Sequence, residues 1–261
     1  MFLSSDSKIL LWKRIAWAAI VVVALVFIGI FWLDIPLYKL MRHLDGLAWG
    51  VVERATDVKV WLVLSFAICA IFSGTVIFKK IFDKNDDKSN NKNASVSSQN
   101  KFVQILNGFA EKTGASAIIF TNDFKNKKWF EKIASASFAV FVSVAASGAI
   151  VWVLKGVIGR ARPIIFDFWG RTGFAHWTFG NDYYDSMPSG HATANFAGLV
   201  ILGMLFPKIK PWTWTLAIII ALSRVAHGAH FPSDILFGAF VGMLVADIVV
   251  YVTNKGIRHR A

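Results

Sequence analysis

The sequence predicts an all-α, polytopic membrane protein: six transmembrane helices in a bundle with an outward-facing site. Three observations lead there. The 261 residues are 56% hydrophobic and 15% aromatic, and the apolar ones come in long blocks. Basic residues concentrate in alternate loops, and three polar clusters fall at helix ends on one membrane face. A bilayer core is crossed by roughly 20 apolar residues in helical form. Windows of that length place spans near residues 11–33, 61–82, 134–155, 191–206, 212–229 and 233–253, the fourth being the shortest.

The first span follows Lys8, Lys13 and Arg14. Its apolar run is too long for a signal peptide and no small-residue cleavage site follows, so it reads as an uncleaved anchor. After it, IPLYKLMRHLDGLAWGVV sets Leu37, Leu40, Met41, Leu44, Leu47 and Val51 at helical spacing, with Lys39, Arg42 and Asp45 turned away, as expected of an interfacial helix. Cys69 is the single cysteine and lies within the second span, which excludes an intramolecular disulfide and a cysteine metal cluster. Residues 83–100, DKNDDKSNNKNASVSSQN, read as a flexible cytoplasmic linker. Beyond it, Phe102, Ile105, Leu106 and Phe109 share one helical face, on the inner membrane surface or against the ends of the bundle. An aromatic-rich outer loop near 163–188 separates the third and fourth spans. The whole chain, 1–261, is expected to form a single membrane-embedded domain.

A formal net charge of +12 raises the question of nucleic acid in a soluble protein. Here the lysines and arginines gather at the N-terminus, after the second span, at Lys208 and Lys210, and at Lys255, Arg258 and Arg260. These are alternate loops, so the excess reads as a positive-inside signal with both termini cytoplasmic, and no nucleic-acid partner is expected.

The outer-side clusters are KGVIGRARP, with Lys155, Arg160 and Arg162; MPSGHAT, opening the fourth span; and SRVAHGAHFPSD, between the fifth and sixth. A charge within a membrane helix costs roughly 2.5–3.5 kcal/mol on insertion scales, so ionisable residues at such depth face a polar cavity. One of them alone is accounted for by snorkelling. Lys155, Arg162, Arg224, His191, His227, His230 and Asp234 taken together point to a convergent cationic pocket. Two guanidinium forks and an ammonium suit a phosphate. The amides of Ser189, Gly190 and His191 at a helix N-terminus, with the Ser189 hydroxyl, add anion donors.

His230 and Asp234 are four residues apart around Pro232, within reach of each other on the first helical turn. A carboxylate on one ring nitrogen sets the tautomer and leaves the other nitrogen as a nucleophile. His191, on another helix, is placed to protonate a leaving oxygen and then to deprotonate water. The scheme needs no metal or other cofactor. A zinc site from His191, His227 and His230 is the competing arrangement, disfavoured because the surrounding cations would repel a metal.

Together, KGVIGRARP, PSGH and SRVAHGAHFPSD resemble, in order and spacing, the three signature motifs of the type 2 phosphatidic acid phosphatase (PAP2) family, which shares its site with the vanadium haloperoxidases. The resemblance covers the third to sixth spans. It implies Lys155, Arg162 and Arg224 as phosphate ligands, Ser189 and Gly190 as further donors, His191 as acid, His230 as nucleophile and Asp234 as its partner. His227 and Arg160 stand outside the signature positions, His227 expected to be hydrogen-bonded within the bundle and Arg160 to hold phosphate or a lipid head group. His43 and His176 are expected at the surface.

The expected activity is that of an integral membrane lipid phosphatase acting on a phosphomonoester or diphosphate at the outer leaflet through a phosphohistidine. The partners expected are the membrane itself and a lipid phosphate within it. A phosphotransferase using a hydroxyl acceptor, or a non-catalytic lipid-binding or transport protein, are the alternatives. Positive-inside topology without an organellar signal points to a bacterial inner membrane with a periplasmic site.

Overall fold

A computed structural model describes residues 5–44, 57, 59–71 and 127–258. The expected linker at 83–100 and the amphipathic segment at 101–112 lie outside the described residues, as does the second half of the expected interfacial helix. The regular elements among the described residues are helical, with no strand beyond an isolated bridge between Arg160 and Phe174.

In chain order the helices are α1 (Ser5–Ile28), α2 (Asp34–Arg42), α3 (Lys59–Ile71), α4 (Lys127–Ile158), α5 (Pro163–Trp169), α6 (Gly190–Leu205), α7 (Lys210–Ala226) and α8 (Pro232–Arg258). Two compact units divide the chain: Met1–Ser65 with Ala139–Ala261, and Phe66–Phe138. Every side chain discussed below belongs to the first unit.

Among the described residues, three stretches are long and apolar enough to cross a membrane: Ile15–Arg42, Ser135–Ile158 and Pro232–Val252. They coincide with the first, third and sixth expected spans. Of the other three, the second is described only as far as Ile71, and the fourth and fifth fall on shorter helices. α6 has 16 residues, roughly 24 Å at 1.5 Å per residue, against a hydrocarbon core of about 30 Å. α7 has 17 residues and stops at Ala226, three residues before the expected end.

The packing is that of a protein dissolved in an apolar medium. α1 turns Trp17, Ile20 and Phe27 outward, the turn after it Phe31 and Trp32, and α7 does the same with Trp212 and Leu216, while buried Asp34, Arg160, Ser186 and Asp234 sit inside. Within the core, Val144 of α4, Val200 and Ile201 of α6, Ile220 and Val225 of α7, and Val245 of α8 form one cluster.

Glycines let α6 and α8 close up. A Cβ on Gly238 would lie 2.7 Å from Ser189 O, and one on Gly242 would overlap Thr193 O. The pair is a G-x-x-x-G stripe, which allows two membrane helices to touch backbone to backbone. This contact draws the N-termini of α6 and α8 together, and both carry site residues.

A π turn over Gly29–Leu33 joins α1 to α2. Such a turn holds an extra residue and re-aims the side chains that follow. Here it directs Asp34 and Tyr38 inward, both buried, while Leu37, Leu40 and Leu44 are exposed. The outward leucine stripe is the one expected of an interfacial helix, but the helix continues directly from α1 and uses its other face to pack against α7 and α8.

Candidate active site

The first cluster is held by the aromatic loop folding back on it. Ala161 N donates to Gly173 O at 2.9 Å, Arg162 N to Tyr183 O at 2.9 Å, and Ser186 N to Arg160 O at 3.0 Å. Gly159, at φ 59°, passes so close to Ala175 O that any Cβ there would overlap it. Arg162 is the N-cap of α5, followed by Pro163 at N1, a position where the missing amide costs nothing.

Lys155 and Arg162 converge on a carboxylate outside the three motifs. Asp185 accepts from Arg162 Nε at 2.5 Å through Oδ1, and from Lys155 Nζ at 3.0 Å through Oδ2. Lys155 Nζ also donates to Asp185 O at 2.6 Å. Partial burial works against ionisation of Asp185, yet Arg162 and Lys155 hold its carboxyl below the usual range. All three side chains keep partial access to the outside, at 18%, 25% and 22% for Lys155, Arg162 and Asp185.

The second cluster opens α6. Ser189 is its N-cap, accepting from Ala192 N at 3.5 Å. The Ser189 amide, expected to be an unsatisfied anion donor, instead donates to Asp234 O at 3.1 Å. The close approach of α8 supplies that acceptor, so this amide is withdrawn from the expected anion set. Gly190 and His191 head the helix itself. His191 Nε2 lies 4.0 Å from Asp57 Oδ2. The segment bearing Asp57 is latched to α6 where Trp61 Nε1 donates to Asn195 Oδ1 at 2.8 Å, and Asn195 Nδ2 donates to His191 O at 2.8 Å.

In the third cluster, Arg224 is buried in the last turn of α7, and its carbonyl accepts from Ala229 N at 3.0 Å and His230 N at 3.3 Å. The turn between, through Gly228 at φ 79°, lies under Tyr38 and Arg42 of α2. His227 is exposed at the C-cap of α7 rather than within the bundle as expected, because the helix ends one residue before it.

His230 is buried, with Nδ1 facing Asp234 Oδ2 at 3.8 Å, an ion-pair distance beyond hydrogen-bond reach. Asp234 is fully buried, and Oδ2 also accepts from Ser186 Oγ at 2.6 Å and Phe231 N at 2.8 Å. Arg160, expected at a phosphate or head group, points inward instead. It is 3% exposed, and its two terminal nitrogens are bound to Asp234 and Asp34 at 2.6 Å each.

Burial pushes the His230 imidazole down to about 3, helped by Lys155 and Arg162 and opposed by Asp234. The ring is therefore neutral at physiological pH, as a nitrogen nucleophile must be. The unfolded chain takes up this proton near pH 6.5, whereas the folded one resists until about 3. Stability from this group is present above 6.5 and lost as pH falls toward 3. The thermal midpoint of detergent-solubilised protein is expected to drop between pH 7 and pH 4, with a shallower drop for His230→Gln.

The structure thus ties the three sequence clusters into one unit. Lys155 and Arg162 meet on Asp185, Ser186 next to it binds Asp234, and Asp234 holds Ser189 and faces His230. Three carboxylates of this assembly, Asp34, Asp57 and Asp185, lie outside the motifs. Asp34 is signalled in sequence only as an acidic residue closing an apolar span, and Asp185 only as an acidic residue shortly before PSGH. Among the described residues no group of three or more His, Cys, Asp or Glu is arranged to hold a metal ion.

Residues 136–258 match the sequence model of the PAP2 superfamily. Among curated proteins, the chain is 37% identical over 113 residues to the lipid A 1-phosphatase of Rhizobium johnstonii, covering 42% of this chain and 46% of that protein. It is 29% identical over 131 residues to an undecaprenyl-diphosphatase of Sulfolobus acidocaldarius, covering 49% and 60% respectively. The chain spans about half the length of the curated relatives it matches. A crystal structure of Aquifex aeolicus LpxE superposes with a TM-score of 0.40 at 18% identity, covering 86% of this chain and 98% of that one.

Proposed function

We propose that this chain, which through residues 136–258 belongs to the PAP2 superfamily, is an integral membrane phosphatase acting on a phosphomonoester or diphosphate borne by a lipid. The observation carrying this reading is the convergence of a neutral buried imidazole, His230, with the cations Lys155 and Arg162 in a single unit. The names of the relatives, lipid A 1-phosphatase and undecaprenyl-diphosphatase, support a lipid phosphate as substrate class.

In the proposed mechanism Lys155, Arg162 and Arg224, with Gly190 and the Ser189 hydroxyl, hold the phosphate oxygens and stabilise charge in the transition state. His230 Nε2, turned away from Asp234, attacks phosphorus in line. The bond from phosphorus to the lipid oxygen breaks, and His191 delivers a proton to that oxygen. His191 then takes a proton from water, whose oxygen attacks phosphorus and breaks the bond to His230, releasing inorganic phosphate. Asp234 stabilises positive charge on the His230 ring as it forms.

The topology belongs to the same proposal. Six spans, with α3, α6 and α7 completing the three long ones, both termini cytoplasmic and the site on the periplasmic side of a bacterial inner membrane, would present the pocket to lipids of the outer leaflet. Purified protein in detergent micelles is expected to release inorganic phosphate from at least one of lipid A, undecaprenyl diphosphate, phosphatidic acid and phosphatidylglycerol phosphate. Phosphate appearing on an added alcohol instead would indicate transfer. Binding of these lipids without either product would reject an enzyme.

A further inference from the structure

Arg160 is the most enclosed cation of the site, and its guanidinium is committed to buried partners. Its Nη1 donates to Asp234 Oδ1 and to Ser233 Oγ, both at 2.6 Å, and its Nη2 to Asp34 Oδ2 at 2.6 Å. Ser233 closes the circuit, donating to Asp34 through Oγ at 2.5 Å and through its amide at 2.9 Å. The guanidinium lies over the Phe231 ring at 4.7 Å. Asp34, Arg160, Ser233 and Asp234 are each no more than 3% exposed.

We infer that Asp34 and Arg160 are positioning residues that hold Asp234, and through it His230, in line for attack. The inference rests on His230 acting as the nucleophile. Joining two helices does not require buried charge, since an apolar contact of the same volume serves at least as well. What this pair adds is directional. Asp234 Oδ1 is committed to Arg160, and Oδ2 is shared by Ser186 Oγ and Phe231 N, so the carboxylate is immobilised on both oxygens opposite His230 Nδ1. Asp34 in turn anchors the other arm of the guanidinium fork, which would otherwise swing.

Asp34 lies well outside residues 136–258, the segment that matches the superfamily. It reaches the site because the π turn after α1 aims it inward, and because Gly29 lets that backbone run against α8, where a Cβ would stand 2.8 Å from Ser233 Cβ. The start of α2 thereby supplies part of the apparatus that aligns the nucleophile.

The test compares two anions on the full-length protein in detergent. Orthovanadate accepts a fifth bond from a nucleophile and so reports the alignment of His230, whereas inorganic phosphate reports the cations alone. Arg160→Ala and Asp34→Asn are each expected to weaken vanadate about 10- to 100-fold while changing phosphate affinity less than about 3-fold. Added guanidinium is expected to restore vanadate binding to Arg160→Ala, and kcat on a lipid phosphate is expected to fall with KM nearly unchanged. Should Arg160→Ala not fold, the isosteric Asp34→Asn decides. Parallel weakening of both anions, or no change in either, overturns the positioning role. If the wild type binds vanadate no more tightly than phosphate but still releases phosphate from a lipid, the phosphohistidine falls and this inference with it. If it does neither, the phosphatase reading itself fails.

Discussion

Replacing His230 with alanine is expected to abolish phosphate release, a loss of about four orders of magnitude or more in kcat, as for removal of other covalent nucleophiles. The size of the loss follows from the absence of a substitute. His227 is exposed beyond the end of α7, and His191 sits on α6 toward Asp57. The fold is expected to survive, because His230 Nδ1 makes no protein hydrogen bond and Asp234 keeps its partners Arg160, Ser186 and the Phe231 amide. Phosphate release assayed alongside thermal unfolding separates the two effects. An inactive variant with a near wild-type melting curve is the expected result, and full activity would reject the mechanism.

His191→Ala is expected to behave differently. Loss of a general acid costs about 10²–10⁴-fold, and the cost depends on how much the leaving oxygen needs its proton. A lipid alkoxide is a poor leaving group and should show the full loss. An aryl phosphate such as p-nitrophenyl phosphate departs without help, so its first step should be nearly unaffected. The ratio of the two rates in wild type and variant measures this selectivity. Because His191 also serves water in the second step, the burst of released alcohol or nitrophenolate is the readout, and an equal loss of burst rate on both substrates would assign His191 to binding rather than to proton transfer.

The placement of the candidate site residues was legible in sequence where it resided in local patterns. His230 lies two residues before α8 rather than on its first turn, yet the four-residue spacing still sets it opposite Asp234, and PSGH reads as a helix start, as the Ser189 N-cap shows. The carboxylates were not legible, because their partners are remote. Asp34 reaches Arg160 across 126 positions and Ser233 across 199, and no periodicity reports such pairs. Arg160 was misread as outward-facing for the same reason: its neighbours in sequence are site residues, and only the fold reveals the buried acceptors that turn it inward. The Ser189 amide was assigned to an anion by helix-end geometry alone, without the backbone of α8 that the Gly238 and Gly242 stripe brings beside it. Helix lengths were the other weak point. The fifth expected span runs to residue 229, but the left-handed residue at Gly228 turns the chain, and α7 ends at Ala226, short of the length of a full crossing.

Asp185 has a consequence for how the pocket empties. Its carboxylate pairs with both Lys155 and Arg162 and offsets one of their two charges, so on the proposed mechanism phosphate enters in part by anion exchange. The net gain is the difference between two sets of contacts, and the cations are never left bare when the product departs. On that mechanism inorganic phosphate is expected to compete poorly, with most of the retention of a substrate coming from its lipid body.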